Sequence, residues 1–171
     1  MRVRVPPPLP GLYMLIVIDN LLDPFLIPST TEKQGCTLMD PYSTEDDLLD
    51  ALWSIAAFHF DLSQVKVVER WSHNEKSINT LKWHVDEDVA YKLEMGISRL
   101  PQCTMLYYPE VADDLIGGWL CTKTEKIKPV SNRAVIFDSS IAHTVEPSIG
   151  IRRSIIYNPW NHEIKQYGPI A

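Results

Sequence analysis

Short apolar runs alternate with polar, turn-forming segments along most of this chain. Residues 14–18 are apolar without interruption, which predicts a buried strand. From residue 65 onward, runs rich in β-branched and aromatic residues are separated by clusters of Gly, Pro, Asn, Asp and Ser. These runs predict strands at residues 65–71, 78–85, 103–108, 119–122, 134–137, 143–145 and 153–157. Many short strands of this kind favour a sandwich or a jelly roll.

Residues 43–60 carry the one clear helical pattern. Leu48 and Leu52 belong to an apolar series at helical spacing, and Ser43 or Thr44 can cap the N-terminus. We expect this helix to pack its apolar stripe against the outside of a sheet.

The N-terminal residues differ from the rest of the chain. Four prolines between residues 6 and 10 favour an extended conformation and cannot enter the interior of a sheet. We therefore expect residues 1–13 to be a disordered proline-rich tail, and we hypothesise that Met14 is an alternative or the true start. Residues 14–171 are long enough to form a single domain with a substantial core.

Composition narrows the function classes. The net charge of −6 and the lack of a basic stripe argue against nucleic-acid binding. The longest apolar run, residues 12–18, is too short to span a bilayer, so we expect no membrane insertion. Cys36, Cys103 and Cys121 are too few and too widely spaced for a disulfide framework, which favours reduced thiols in a cytoplasmic protein.

The candidate chemistry lies in the second half of the chain. In a strand, residues i and i+2 point to the same face, so His84 and Asp86 can project together into a barrel. His143 can join them from a distant strand. Two imidazoles and one carboxylate can occupy one face of an Fe(II) ion and leave the opposite face open for reactants. We do not expect His59, His73 or His162 to be ligands; they are the remaining histidines.

Arg152 and Ser154 follow this triad and share strand parity. A buried Arg with a neighbouring hydroxyl suits the far carboxylate of a dicarboxylate co-substrate. Arg153 is the rival anchor, and solvated arginines at a strand edge are the simpler alternative.

The order His-x-Asp, His, Arg-x-Ser resembles the 2-oxoglutarate- and Fe(II)-dependent oxygenases. Residues 143–156 resemble the closing segment of the prolyl 4-hydroxylase-like branch, in which the His is followed by Val, Pro, a Gly turn and Arg-x-Ser. Residues 103–109, followed by Gly117-Gly118, also resemble that branch. The resemblance implies a mainly β double-stranded β-helix (jelly roll) with one or more N-terminal helices packed outside. It also implies Fe(II) as the metal, with 2-oxoglutarate and O2 as co-substrates.

The same resemblance implies roles for the residues around the metal. Arg152 would pair with the 5-carboxylate of 2-oxoglutarate, and Ser154 would donate a hydrogen bond. Leu106 and Tyr108 would line the co-substrate pocket, although a tyrosine on a strand can equally be core packing. Trp119 stands where the family pattern most often has Glu, so it either faces the substrate or packs in the core.

The resemblance implies hydroxylation of a C–H bond, in a protein side chain such as a prolyl ring or in a small molecule, with succinate and CO2 as co-products. The alternative is a cupin-like metal-binding jelly roll without oxygenase activity, because the same three ligands can hold zinc. A nucleic-acid demethylase of the same superfamily is disfavoured by the acidic charge.

Overall fold

The computed structural model describes residues 2–4, 14–29, 35–42, 45–74, 77–78 and 81–164. Within these ranges there are two α-helices, α1 (Asp47–Ala56) and α2 (Val89–Met95), and a 3-10 turn at Pro24–Leu26. The strands are β1 (Arg2–Arg4), β2 (Leu15–Asp19), β3 (Gly35–Met39), β4 (Val67–His73), β5 (Ser77–Ile78), β6 (Thr104–Tyr108), β7 (Ile116–Gly117), β8 (Leu120–Thr122), β9 (Lys126–Ile127), β10 (Arg133–Phe137), β11 (His143–Val145), β12 (Ser148–Ile149) and β13 (Ser154–Trp160).

Seven of these strands form one large sheet in the order β1-β2-β10-β6-β13-β4-β3. Every neighbouring pair in it is antiparallel. Two smaller antiparallel sheets have the orders β11-β8-β9 and β5-β12-β7. The prediction of a mainly β chain is confirmed.

The two faces of the large sheet bury different residues, because successive side chains in a strand alternate between faces. On the outer face, side chains such as Ile136 and Tyr157 pack with Leu52 of α1. On the inner face, side chains such as Leu106 pack with Leu120 of β8, a strand of one of the two small sheets. The predicted helix therefore does pack against the outside of a sheet.

α1 is shorter than predicted. It begins after Asp46, whose carboxylate accepts a hydrogen bond from the Leu49 backbone N–H at 3.0 Å, and it ends at Ala56. Residues 43–44, which we predicted as the cap, lie outside the described residues. An Asp cap also places a negative charge at the positive end of the helix dipole.

Elements that differ from the sequence-based expectation include β1, α2, β3 and the two-residue strands β7, β9 and β12. Residues 2–4, which we expected in a disordered tail, form β1 by antiparallel pairing with β2; the rest of that segment lies outside the described residues. This pairing satisfies backbone groups at the edge of the sheet. α2 was not predicted, although Asp88 caps it and Gly96 ends it in a left-handed conformation. β3 was not predicted either, and it forms the other edge of the large sheet.

The predicted strand at residues 78–85 is mostly absent where it can be seen. Residue 78 belongs to β5, residues 79–80 lie outside the described residues, and residues 81–85 contain only a single bridge at His84. The two described helices are both too short to cross a membrane.

Candidate metal centre

His84 and His143 face each other across a short antiparallel contact. The His84 N–H donates to the His143 carbonyl at 3.0 Å, and the His143 N–H donates to the His84 carbonyl at 2.9 Å. Directly opposite residues in such a pair point to the same side, so the backbone brings the two imidazoles together. Their ring centroids are 4.4 Å apart.

Asp86 completes the group. Its Oδ1 atom lies 3.8 Å from His84 Nε2 and 3.9 Å from His143 Nε2. The other carboxylate oxygen, Oδ2, accepts a hydrogen bond from the Thr104 hydroxyl at 2.6 Å. Thr104 is the first residue of β6 and is buried. It therefore fixes the carboxylate so that Oδ1 faces the two imidazoles.

Backbone carbonyls set the tautomer of both histidines. His84 Nδ1 lies 2.8 Å from the Lys82 carbonyl oxygen, and His143 Nδ1 lies 3.0 Å from that of Ile141. A carbonyl can only accept, so each Nδ1 carries a hydrogen, and in the neutral form of such an imidazole Nε2 presents the lone pair. Burial lowers the pKa of His143, with the nearby Asp86 charge acting in the opposite direction. A neutral imidazole is the form that binds a metal.

These donors fit a divalent transition metal. The ligand atoms of His84, Asp86 and His143 all lie within 4.8 Å of one another. A cation bound at about 2.1 Å from each donor can bridge the measured separations of 3.8 and 3.9 Å. Two imidazoles and one carboxylate on one side of the ion leave its other side to exogenous ligands. No second His/Cys/Asp/Glu group of this kind occurs among the described residues.

Arg152 lies in a second polar site and is almost fully buried, at 3% exposure. Its Nε donates to the Gly118 carbonyl at 3.0 Å, and its Nη2 donates to the Tyr108 hydroxyl at 3.3 Å. Both partners are neutral, and no carboxylate pairs with Arg152 among the described residues. A buried cation without a counter-charge favours the binding of an anion.

The backbone at Gly118 is shaped around this arginine. Gly118 has a φ of +72°, and a Cβ built there would lie 2.9 Å from Arg152 Cδ. It would also lie 3.1 Å from the Cβ of Ser148, whose buried hydroxyl has no hydrogen-bond partner. The Ser148 side chain, with its unpaired hydroxyl, and the Arg152 side chain, whose guanidinium lacks a counter-charge, therefore both lie against Gly118.

β6 connects the two polar sites. Thr104, Leu106 and Tyr108 alternate along this strand and point to its inner face. Thr104 contacts Asp86 of the candidate metal group, and Tyr108 contacts Arg152. The backbones of Thr104 and Tyr108 are four positions apart, which is roughly 13 Å at a rise of about 3.3 Å per residue. Leu106 lies between them. We call the space over this inner face, between the candidate metal group and the guanidinium, the cleft.

The remaining residues that the sequence analysis singled out are Ser154, Arg153 and Trp119, and they differ in burial and in the face they occupy. Ser154 is buried and points to the same face as Ile156, which packs on the inner cluster. Arg153 lies on the other side, where its Nε is 3.2 Å from Glu110 Oε2. Trp119 is half-buried, and its backbone carbonyl accepts from Glu146 N–H at 3.0 Å.

The other histidines lie apart from the metal group. His59 is in the turn after α1, His73 stacks on Trp71 with ring centroids 6.3 Å apart, and His162 lies 3.5 Å from Asp88. Sequence reasoning missed the contact of Thr104, and it noted Gly118 only as part of a Gly-Gly pair, without its position beside Arg152. Thr104 gave no signal, because its role depends on a contact with a residue 18 positions earlier.

Comparison with solved structures identifies the fold. The chain is similar to the viral collagen prolyl hydroxylase vCPH of Paramecium Bursaria Chlorella virus-1 in its 2OG complex, with a TM-score of 0.56 and 14% identity over 87% of this chain and 95% of that one. The chain shares the fold of this hydroxylase. A truncated form of that enzyme matches with a TM-score of 0.53 and 14% identity, over 85% of this chain and 87% of that one.

A weaker similarity is to a prolyl hydroxylase from Trichoplax adhaerens in complex with a hypoxia inducible factor oxygen degradation domain peptide fragment. Its TM-score is 0.47 at 16% identity, over 86% of this chain and 83% of that one. No protein-family model and no curated protein matches the chain. The resemblance to the 2-oxoglutarate- and Fe(II)-dependent oxygenases is thus confirmed at the level of the fold.

Proposed function

We propose that this protein is a 2-oxoglutarate- and Fe(II)-dependent dioxygenase with a jelly-roll fold. It hydroxylates a C–H bond of a protein side chain, with a prolyl ring as one candidate, or of a small molecule, and releases succinate and CO2. His84, Asp86 and His143 would hold Fe(II), and Arg152, Ser154, Leu106 and Tyr108 would hold 2-oxoglutarate.

One observation carries the proposal: the same cleft contains a three-donor metal group and, about 13 Å along β6, a buried guanidinium without a counter-charge. A dicarboxylate that reaches from the metal to Arg152 would supply the missing anion. The shared fold with the viral hydroxylase, which was solved with 2OG bound, supports this choice of ligand.

The chain's own residues have defined tasks in this scheme. The Lys82 and Ile141 carbonyls hold the imidazole tautomers, and Thr104 orients Asp86. Arg152 would bind the far carboxylate of the co-substrate, with its guanidinium oriented by Gly118 and Tyr108. When bound, Fe(II) together with 2-oxoglutarate would supply the oxidation chemistry, which requires the apolar shielding that a dry pocket gives.

A binding experiment separates this function from that of a cupin-like metal protein. Replacing Arg152 with Met should weaken 2-oxoglutarate binding by about 100-fold, because two charge-assisted hydrogen bonds are lost, while Mn(II) affinity should change little. Replacing Asp86 with Ala should abolish metal retention and leave the fold intact, as measured by calorimetry and circular dichroism.

Arg153→Met is the matched control for this experiment, because Arg153 pairs with Glu110 on the other side of the strand. It should bind 2-oxoglutarate like the wild type. If the wild-type protein retains metal but does not bind 2-oxoglutarate, the cupin-like alternative is correct. If Arg153→Met shows the loss instead, the anchor is Arg153.

A further inference from the structure

A row of inner-face residues crosses the large sheet at the level of the metal group. β13 pairs with β6 so that Tyr157 lies beside Met105, which places the next inward residue, Asn158, beside Thr104. Glu69 of β4 lies beside Asn158 in turn. Strands are about 4.8 Å apart, so Glu69 is roughly 10 Å from the strand that contacts Asp86. Glu69 and Asn158 thus share the cleft wall with the metal centre.

Glu69 is a largely buried carboxyl group without a cationic partner among the described residues. Burial raises its pKa, and neutral donors oppose this effect, with the Trp71 side chain first and the Cys36 thiol, at 3.6 Å, after it. Neutral donors can solvate a carboxylate but cannot cancel its charge, so a cation on this wall would be stabilised.

Asn158 supplies a second unsatisfied acceptor. It is 4% exposed, and its Oδ1 atom has no hydrogen-bond partner. Its amide group also interacts with the Glu69 carboxyl, which leaves the carbonyl oxygen available to a ligand. The buried indole N–H of Trp160, two residues along β13, also has no hydrogen-bond partner. Buried polar atoms in native proteins are rarely left unpaired, so this acceptor indicates a binding group.

We propose that Glu69 and Asn158 bind a cationic nitrogen of the substrate, an ammonium or a guanidinium group, and so select the substrate class. This inference rests on the proposed function, because it uses the same cleft. The cleft then carries two uncompensated groups of opposite charge: Arg152 for the co-substrate and Glu69 for the substrate. The net charge of −6 also favours the approach of cationic molecules.

The test compares two small probes of the same shape, n-pentylammonium and 1-pentanol. They are titrated into protein loaded with Fe(II) and 2-oxoglutarate in the absence of oxygen, and binding is followed through the indole N–H signals of Trp71 and Trp160. We expect the ammonium to bind at least about tenfold more tightly than the alcohol, and we expect Glu69→Gln to remove this preference.

Glu45→Gln is the control for the charge change, since Glu45 is exposed and lies just before α1, which packs on the outer face. It should keep the preference. If Glu69→Gln does not fold, Asn158→Ser should give a smaller loss of ammonium binding. Equal binding of both probes, or an unchanged preference in Glu69→Gln, overturns the inference. Because 2-oxoglutarate affinity is measured on the same samples, a failure of the proposed function would show separately, as lost co-substrate binding.

Discussion

At the scale of single residues, the three donors of the candidate metal group are oriented by neighbours outside that group. The two imidazoles are oriented by backbone carbonyls, and Asp86 is oriented by the Thr104 hydroxyl. Outer partners of this kind commonly change metal affinity by one to two orders of magnitude. We therefore expect the metal affinity of this group to depend on these hydrogen-bond partners as well as on the three donors.

Replacing Thr104 with Val should weaken Mn(II) or Fe(II) binding by about tenfold to 100-fold, because Asp86 loses the hydrogen bond that fixes its rotamer. The shape of the side chain is retained, so the fold should persist. Isothermal titration measures the affinity. Thr37→Val, on the exposed edge strand β3, is the matched control. An affinity equal to that of the wild type would show that Asp86 does not need this support.

At the scale of elements, α1 and the large sheet are joined by polar contacts of Asp46 with Tyr157 and Arg70 as well as by apolar packing. Asp46 caps α1 through Oδ1, and its Oδ2 accepts a hydrogen bond from the Tyr157 hydroxyl at 2.6 Å. Arg70 Nε lies 3.3 Å from the same hydroxyl. The helix cap thereby contacts β13 and β4, whose other faces carry Asn158 and Glu69.

Replacing Asp46 with Ala should lower the free energy of unfolding by about 1–3 kcal/mol, because both the cap and the bond from Tyr157 are lost. Urea denaturation measures the change. Asp47→Ala removes an exposed charge in the same turn and should cost less than about 1 kcal/mol. Equal losses in the two variants would mean that the specific contacts of Asp46 contribute little.

Secondary structure was predicted correctly where the apolar residues of a segment followed one clear pattern. The apolar series of α1 and the uninterrupted run of β2 are examples. The prediction failed for α2, whose exposed Val89 and Leu93 give no amphipathic stripe, and for β3, a half-exposed edge strand. The segment at residues 81–85 looked like a strand, but its backbone-to-backbone hydrogen bonds with the distant β11 are only the two between His84 and His143 and one from the Leu81 N–H to the Val145 carbonyl.

At the scale of the whole molecule, the large sheet separates two buried regions, an outer one with α1 and an inner one that leads to the cleft. The three cysteines, all within the described residues, are thiols. Cys103 lies in the outer cluster and is fully buried, which raises its pKa to about 12. Cys121 is buried on β8, which also raises its pKa, whereas Cys36 is half-exposed on an edge strand.

Iodoacetamide at pH 8 should therefore modify the native protein at Cys36 alone, because the thiolate is the reactive form and the other two thiols are buried and protonated. Mass spectrometry of the intact protein would show one adduct in buffer and three in urea. Cys36→Ser should show none in buffer. Rapid labelling of Cys103 in buffer would contradict the packing of α1 on the outer face.

The sequence by itself determined the chemistry that this chain can offer. His84, Asp86 and His143 are residue types that bind transition metals, Arg152 is a type that binds carboxylates, and strand parity links His84 to Asp86 and Arg152 to Ser154. The tertiary structure alone decided that the two histidines pair across the backbone, that Thr104 supports Asp86, and that Glu69 and Asn158 lie in the same row as the metal group. The physical reason is that parity is a property of one strand, whereas register between strands depends on the packing of the whole sheet.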